Sequence, residues 1–202
     1  MTPDTSAEPQ KLPLLLRFGV PPRYLPAKPE DFPKQSFGVG DAGLFVTGPQ
    51  GTGKTHFAVA AIRAFLQAEA AADGPSGKAW EIREYEAKAA RFAVVPELLM
   101  DIRRAFKPNS TTGEEEIIAA YQRPRLLVLD DFGAEKQSDY TLQTLYVLVN
   151  WRLNHLLPTI VTSNLSLSEV AAFDPRLASR LASFRQVKLD GKDRRIGKGA
   201  SA

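Results

Sequence analysis

Residues 48–55 read GPQGTGKT and fit the spacing G-x-x-x-x-G-K-[ST]. Such a loop is built where a strand hands the chain to a helix N-terminus, and both neighbours are present. Leu44 to Thr47 is a short apolar strand, and an alanine-rich helix is predicted from Lys54 to about Ala70. Glycines at 48, 51 and 53 let successive backbone N–H groups curl around one anionic group, and the helix N-terminus adds its partial positive charge. The loop therefore predicts a phosphate cradle in which Lys54 reaches the β and γ phosphates of ATP and the Thr55 hydroxyl ligates Mg²⁺. The candidate nucleotide-binding set is Gly48, Pro49, Gln50, Gly51, Thr52, Gly53, Lys54 and Thr55, with His56 beside it. A lone histidine on a first helical turn is more in keeping with packing or surface than with chemistry.

Beyond that unit, strands alternate with helices. Arg91 to Val95, Leu126 to Asp130, Thr159 to Ser163 and Gln186 to Leu189 read as strands. ELLMDIRRAF, with Leu98, Leu99, Ile102 and Phe106 at helical spacing, reads as an amphipathic helix; Glu114 to Tyr121, Asp139 to His155, Leu167 to Phe173 and Pro175 to Phe184 read as further helices. Continuous apolar runs such as LLVL and TIV require burial on both sides of the strand. The predicted class is thus α/β, a three-layer arrangement around a parallel sheet. Ligands on such sheets bind beyond the carboxyl ends of the strands.

The flanks are less regular. Pro21, Pro22, Pro26, Pro29 and Pro33 argue for an extended arm over residues 1–40 rather than packed helices, and the greasy LPLLLRF, residues 12–18, either docks on a partner or folds back on the core. A core over 41–196 and a flexible tail over 197–202 complete the expected organisation, with a turn and an irregular insert across 73–90.

Composition narrows the chemistry. With 202 residues and 44% hydrophobic content, one sizeable core is expected. No cysteine is present, so disulfides and thiolate zinc sites are excluded, a reducing compartment is the default, and any metal must be held by oxygens or by the two histidines. No apolar run approaches the roughly 18–20 residues a membrane span needs, and MTPDTSAEPQ resembles no signal segment. A cytoplasmic protein with no membrane contact is expected. The net charge of +3 is mild for a nucleic-acid binder, but six Lys or Arg against two Asp make the stretch from Arg185 to Lys198 basic.

The stretch LLVLDDFGAEK ends an apolar strand in Asp130 and Asp131, two like charges that raise the cost of ionising one another and so imply a cation nearby. Successive strand residues point to opposite sides. Asp130 is placed to be the metal partner of a Mg²⁺ nucleotide, and Asp131 to polarise a water facing the γ-phosphate. Asn164, at the end of PTIVTSN, would sit beside that phosphate, although an asparagine there also suits a plain turn. In DPRLASRLASF, Arg176 and Arg180 lie four apart on one helical face with Leu177 and Leu181 on the next. That pattern describes an arginine aimed at a neighbouring subunit's nucleotide, and equally any solvated helix.

Taken together, GPQGTGKT, LLVLDDFGAEK, LPTIVTSN, RLASRL, GKDRR and the earlier GVPPRYLPA resemble the AAA+ ATPases of the DnaC/DnaI type, the loaders of replicative helicases, and the related IstB transposition helpers. The resemblance covers about residues 19–196. It implies an AAA+ P-loop fold with the loop-bearing strand in the middle of a five-stranded parallel sheet and no separate lid domain. It implies ATP with Mg²⁺ at subunit interfaces of a homo-oligomer, single-stranded DNA along the assembly, and a replicative helicase as partner. By position it makes Asp130 and Asp131 the Walker-B pair, Asn164 sensor 1 and Arg180 the arginine finger with Arg176 its neighbour; Arg194 or Arg195 would act as a sensor-2-like residue. Bacterial loaders carry an N-terminal helicase-binding domain, often with a zinc site, whereas only some 40 proline-rich residues precede the core in this sequence.

Four functions are compatible with these residues. The first is a slow, assembly- or DNA-stimulated ATPase acting as a helicase loader or replication accessory protein, with Arg103, Arg104, Lys107 and the basic tail on the DNA backbone. The second is an IstB-like transposition helper on duplex DNA. The third is a regulatory module that holds nucleotide with negligible hydrolysis. The fourth is a P-loop small-molecule kinase, for which no acceptor-substrate lid is evident.

Overall fold

The computed structural model describes residues 14–40, 42–73, 89–105, 113–134 and 138–191. Five strands form one sheet: β1 (Gly43–Thr47), β2 (Ala90–Val94), β3 (Leu126–Phe132), β4 (Thr159–Ser163) and β5 (Arg185–Lys188). The order is β2-β3-β4-β1-β5 and every pairing is parallel. The loop-bearing strand β1 is interior but not central. β4 holds the middle, because β5 returns to the outer side of β1.

Each strand alternates its side chains between two apolar layers, as the pleat requires. Leu44, Val46, Leu126, Val128 and Ile160 face α2 (Lys54–Asp73), whose Phe57 to Ile62 are fully buried. Phe45, Leu127, Leu129 and Val161 face the other layer. That layer is built from α3 (Val95–Ala105), α4 (Glu114–Gln122), α5 (Asp139–Asn154), α6 (Leu167–Phe173) and α7 (Pro175–Ala182). On α5 the buried residues are Thr141, Thr144, Leu145, Leu148, Val149 and Arg152, one stripe at helical spacing.

The described part of the N-terminal segment differs from the extended arm expected of its prolines. A single-turn α1 (Leu14–Arg17) and two 3₁₀ turns, Pro22–Tyr24 and Pro29–Asp31, fold back on the α2 layer and bury Leu15, Phe18, Val20, Ala27 and Phe32. Phe92 N–H of the edge strand β2 donates to Phe18 O at 2.7 Å, so the segment also shields part of that edge. Proline forbids long helices but not burial of the residues between prolines, and those are aromatic and aliphatic. Of LPLLLRF, the described residues fold back on the core. At the opposite edge, Arg185 of β5 donates to Ser36 O and Gly38 O of the same segment.

Arg152 ties the amino-terminal end of the sheet together. Fully buried, it donates from Nε to Thr159 Oγ1, from Nη1 to Gln122 O and Pro124 O, and from Nη2 to Pro158 O, all at 2.7–2.9 Å. Burial pulls its pKa down to about 9, which leaves it charged at neutral pH.

Among the described residues no helix is long and apolar enough to cross a membrane. Arg194, Arg195, Lys107, Phe106 and most of the insert across 73–90 lie outside the described residues.

Candidate functional site

Apart from the arginines, the predicted site residues come from the carboxyl ends of β1, β3 and β4, neighbours in the sheet or one strand apart. After β1 the chain turns through Gly48, Gly51 and Gly53, with φ of 152°, 75° and 96°. At Gly48 a Cβ would lie 2.1 Å from Leu189 O, so the start of the loop has room for glycine alone. Thr52 donates its hydroxyl to Pro49 O at 2.8 Å and closes the loop on itself.

Lys54, the first residue of α2, is 6% exposed. Its ammonium donates to Gly48 O and Pro49 O, each at 2.8 Å, and to Asn164 Oδ1 at 2.6 Å. The lysine thus lies across its own loop and meets the amide predicted at the end of β4.

Thr55 donates to Asp130 Oδ2 at 3.0 Å, and Thr162 of β4 donates to Asp130 Oδ1 at 2.6 Å. Asp130 is 3% exposed. Burial pushes its carboxyl up to about 6 and the charge of Asp131 adds to the rise, against the hydrogen bonds from Thr162 and Thr55 and the charge of Lys54.

Asp131 departs from simple strand alternation. β3 runs on to Phe132 with a register shift: Leu129 pairs Val161 and Phe132 pairs Ser163, so Asp130 and Asp131 together oppose Thr162. That is a β-bulge, and Asp131 takes the left-handed conformation at φ 58° with its side chain exposed. Its N–H donates to Thr162 Oγ1 at 3.1 Å.

His56 bonds Asp31 Oδ2 at 2.8 Å and lies against the Phe32 ring. It fastens the N-terminal segment to the first turn of α2.

The two arginines of α7 are not displayed together. Leu177 and Leu181 are buried as predicted, and Arg176 is open to solvent, paired with Asp174 at 3.2 Å and lying over Tyr146. Arg180 is half-buried, and its Nε is buried without a hydrogen-bond partner among the described residues. Ala178 joins the leucines inside. A cavity of about 480 Å³ lies between α5 and the α6–α7 junction, lined by residues that include Tyr146, Val147, Phe173 and Arg176 and by none of Gly48 to Thr55. Of the predicted basic residues on α3, Arg104 pairs with Asp101 and Arg103 reaches Thr141 Oγ1 at 3.4 Å.

Sequence reasoning did not single out Thr162 or Asp31. Thr162 lies inside the quoted PTIVTSN; the β3–β4 register sets it opposite Asp130, and the bulge adds its second contact, from Asp131 N–H.

The strand order, the loop between β1 and α2, and the residues meeting it from β3 and β4 define a P-loop α/β fold of the AAA+ type. No protein-family model matches the sequence and no curated protein does. Solved structures match. The DnaC helicase loader has a TM-score of 0.60 at 22% identity, covering 84% of this chain and 100% of that one. DnaI has a TM-score of 0.56 at 21% identity, covering 82% and 79%. AMPPCP-bound DnaA from Aquifex aeolicus has a TM-score of 0.58 at 17% identity, covering 80% of this chain and 43% of that chain, so the present chain spans less than half of that DnaA. The fold is therefore that of a DnaC/DnaI-like AAA+ domain.

Proposed function

We propose that the protein binds and hydrolyses ATP and serves DNA replication as a helicase loader or accessory ATPase, acting on single-stranded DNA and a replicative helicase as a homo-oligomer. The observation that carries this reading is the meeting of two pairs beyond the strand ends: Lys54 with Asn164 at 2.6 Å, and Thr55 with Asp130 at 3.0 Å.

The donor set fits Mg²⁺ with a triphosphate. The site offers a hydroxyl and a carboxylate, the hard oxygen donors that Mg²⁺ prefers, next to a glycine-rich loop at a helix N-terminus. Thr55 and Asp130 would hold the metal, and Gly48 to Thr55 the phosphates. When bound, Mg²⁺ neutralises charge on the phosphates. Lys54, now hydrogen-bonded to two loop carbonyls, has phosphate oxygens as stronger, charged acceptors to exchange for them. Asn164 holds the ammonium and presents its amide to the same space. Asp131 is the candidate to polarise the attacking water, and Arg180, acting on a neighbouring protomer's nucleotide, is the candidate cation for the transferring group.

The exposed, bulged position of Asp131 favours a second reading, a module that holds nucleotide with negligible hydrolysis. An IstB-like helper on duplex DNA shares every residue named and is separated by the choice of DNA.

The test is the ATPase rate of wild type, Lys54→Ala, Arg176→Ala and Arg180→Ala, without DNA and with single-stranded or duplex DNA. A slow basal rate raised by single strands, lost in Lys54→Ala and unstimulated in Arg180→Ala, supports the proposal. Stimulation by duplex alone transfers it to the transposition reading. Binding without turnover leaves the nucleotide-holding module, and full stimulation in Arg180→Ala removes that residue's role.

A further inference from the structure

We infer that Thr162 is a positioning residue for this site, one hydroxyl that both aims the Asp130 carboxylate and pins the bulge that carries Asp131. This rests on the ATP reading above and adds a residue to it.

Thr162 is fully buried and is the single β4 residue opposite the two-residue bulge of β3. A bulge leaves one residue outside the regular ladder, so its buried polar groups need another partner. The Thr162 hydroxyl supplies that partner in both directions. It donates to Asp130 Oδ1 at 2.6 Å and accepts from Asp131 N–H at 3.1 Å. A threonine has one proton and two lone pairs. The proton is committed to a carboxylate, which only accepts, and the lone pair to an N–H, which only donates, so the polarity of the pair is fixed. With Oδ1 taken, Oδ2 is the Asp130 oxygen left for Thr55, the hydroxyl that would ligate Mg²⁺. One strand end thus controls both acids.

The adjoining residue fixes the same junction from outside. Ser163 donates to Phe132 O at 2.7 Å and accepts from Leu165 N–H at 2.9 Å, so the end of β3 and the turn holding Asn164 are tied together. The run Thr162–Ser163–Asn164 therefore touches, in order, the Asp130–Asp131 pair, the Phe132 carbonyl and the Lys54 ammonium.

The test compares Thr162→Val, which keeps the shape and loses the hydroxyl, with Thr162→Ser, which keeps the hydroxyl. Two readouts are used: the Mg²⁺ concentration that half-saturates ATP-induced thermal stabilisation, and kcat with KM for ATP at saturating Mg²⁺. Thr162→Val is expected to raise the half-saturating Mg²⁺ by about 10-fold or more and to lower kcat more than it alters KM, while its binding of a fluorescent ATP analogue in EDTA stays at the wild-type level. Thr162→Ser is expected to restore the Mg²⁺ curve and kcat. A Thr162→Val protein with the wild-type Mg²⁺ curve and kcat overturns the inference, and so does a Thr162→Ser protein as impaired as Thr162→Val. If Thr162→Val does not fold, Thr162→Ala takes its place in the comparison. Wild type without Mg²⁺-dependent ATP binding overturns the ATP reading and this inference together; wild type that binds, with variants indistinguishable from it, overturns this inference alone.

Discussion

Asp130 keeps a carboxylate where 3% of its surface meets solvent, fed by two hydroxyls and facing the charge of Lys54. A buried charge with only partial compensation lowers stability, and a protein accumulates that cost where the charge has work to do. Asp130→Asn should therefore stabilise the nucleotide-free protein by on the order of 1–3 kcal/mol. The amide oxygen can take the Thr162 proton and the amide nitrogen can donate to Thr55. The same variant should lose Mg²⁺-dependent stabilisation by ATP. Thermal unfolding with and without Mg²⁺ and ATP checks both halves; a destabilised free protein would mean that the carboxylate is a structural support. At this scale the sequence was readable where motif spacing alone places a residue, as in Gly48 to Thr55 and the Asp130 position. It was silent on Thr162 and Asp31, whose partners lie 32 and 25 residues away and are chosen by strand register and by the folding-back of the N-terminal segment.

Among the elements, α7 shows how a cap can set the direction of a cation-bearing helix. Asp174, 3% exposed, accepts from Arg176 N–H at 2.9 Å and Leu177 N–H at 3.1 Å, and its carboxylate pairs with the Arg176 guanidinium. Burial alone would raise its pKa, but the hydrogen bonds from the Arg176 side chain and the Leu177 N–H, with the Arg176 charge, outweigh it and hold the carboxyl below the ordinary value of 3.8. A depressed folded-state pKa stabilises at pH above the unfolded value and is lost as pH falls through the folded one. Asp174→Ala should cost about 1–2 kcal/mol at neutral pH, as loss of an N-cap does, and the difference from wild type should shrink below pH 4. Urea unfolding at pH 7 and pH 3 measures it; an equal difference at both would assign the effect to packing. The strands and helices were legible because their apolar periods are intact. The bulge in β3 was not, since LLVLDDF carries no glycine or proline to mark it, and the N-terminal segment was not, since its prolines hide Phe18, Val20 and Phe32 from any periodic pattern.

Across the molecule, the sheet separates two jobs. At the amino-terminal ends of the strands Arg152 joins α5, β4 and the turn before β3 through neutral acceptors, which serves stability. At the carboxyl ends, a buried carboxylate, a left-handed aspartate and a lysine lying across its own loop concentrate what the fold would otherwise avoid. The order β2-β3-β4-β1-β5 brings β1 and β3 to either side of β4, and no local pattern in the sequence reveals that order. The central claim is that this end of the sheet is a Mg²⁺–ATP site, and calorimetric titration of the protein with ATP tests it most directly. One site per chain is predicted, tighter with Mg²⁺ than in EDTA and lost in a folded Lys54→Ala variant. Absence of binding in wild type, or equal binding in the folded variant, would contradict it.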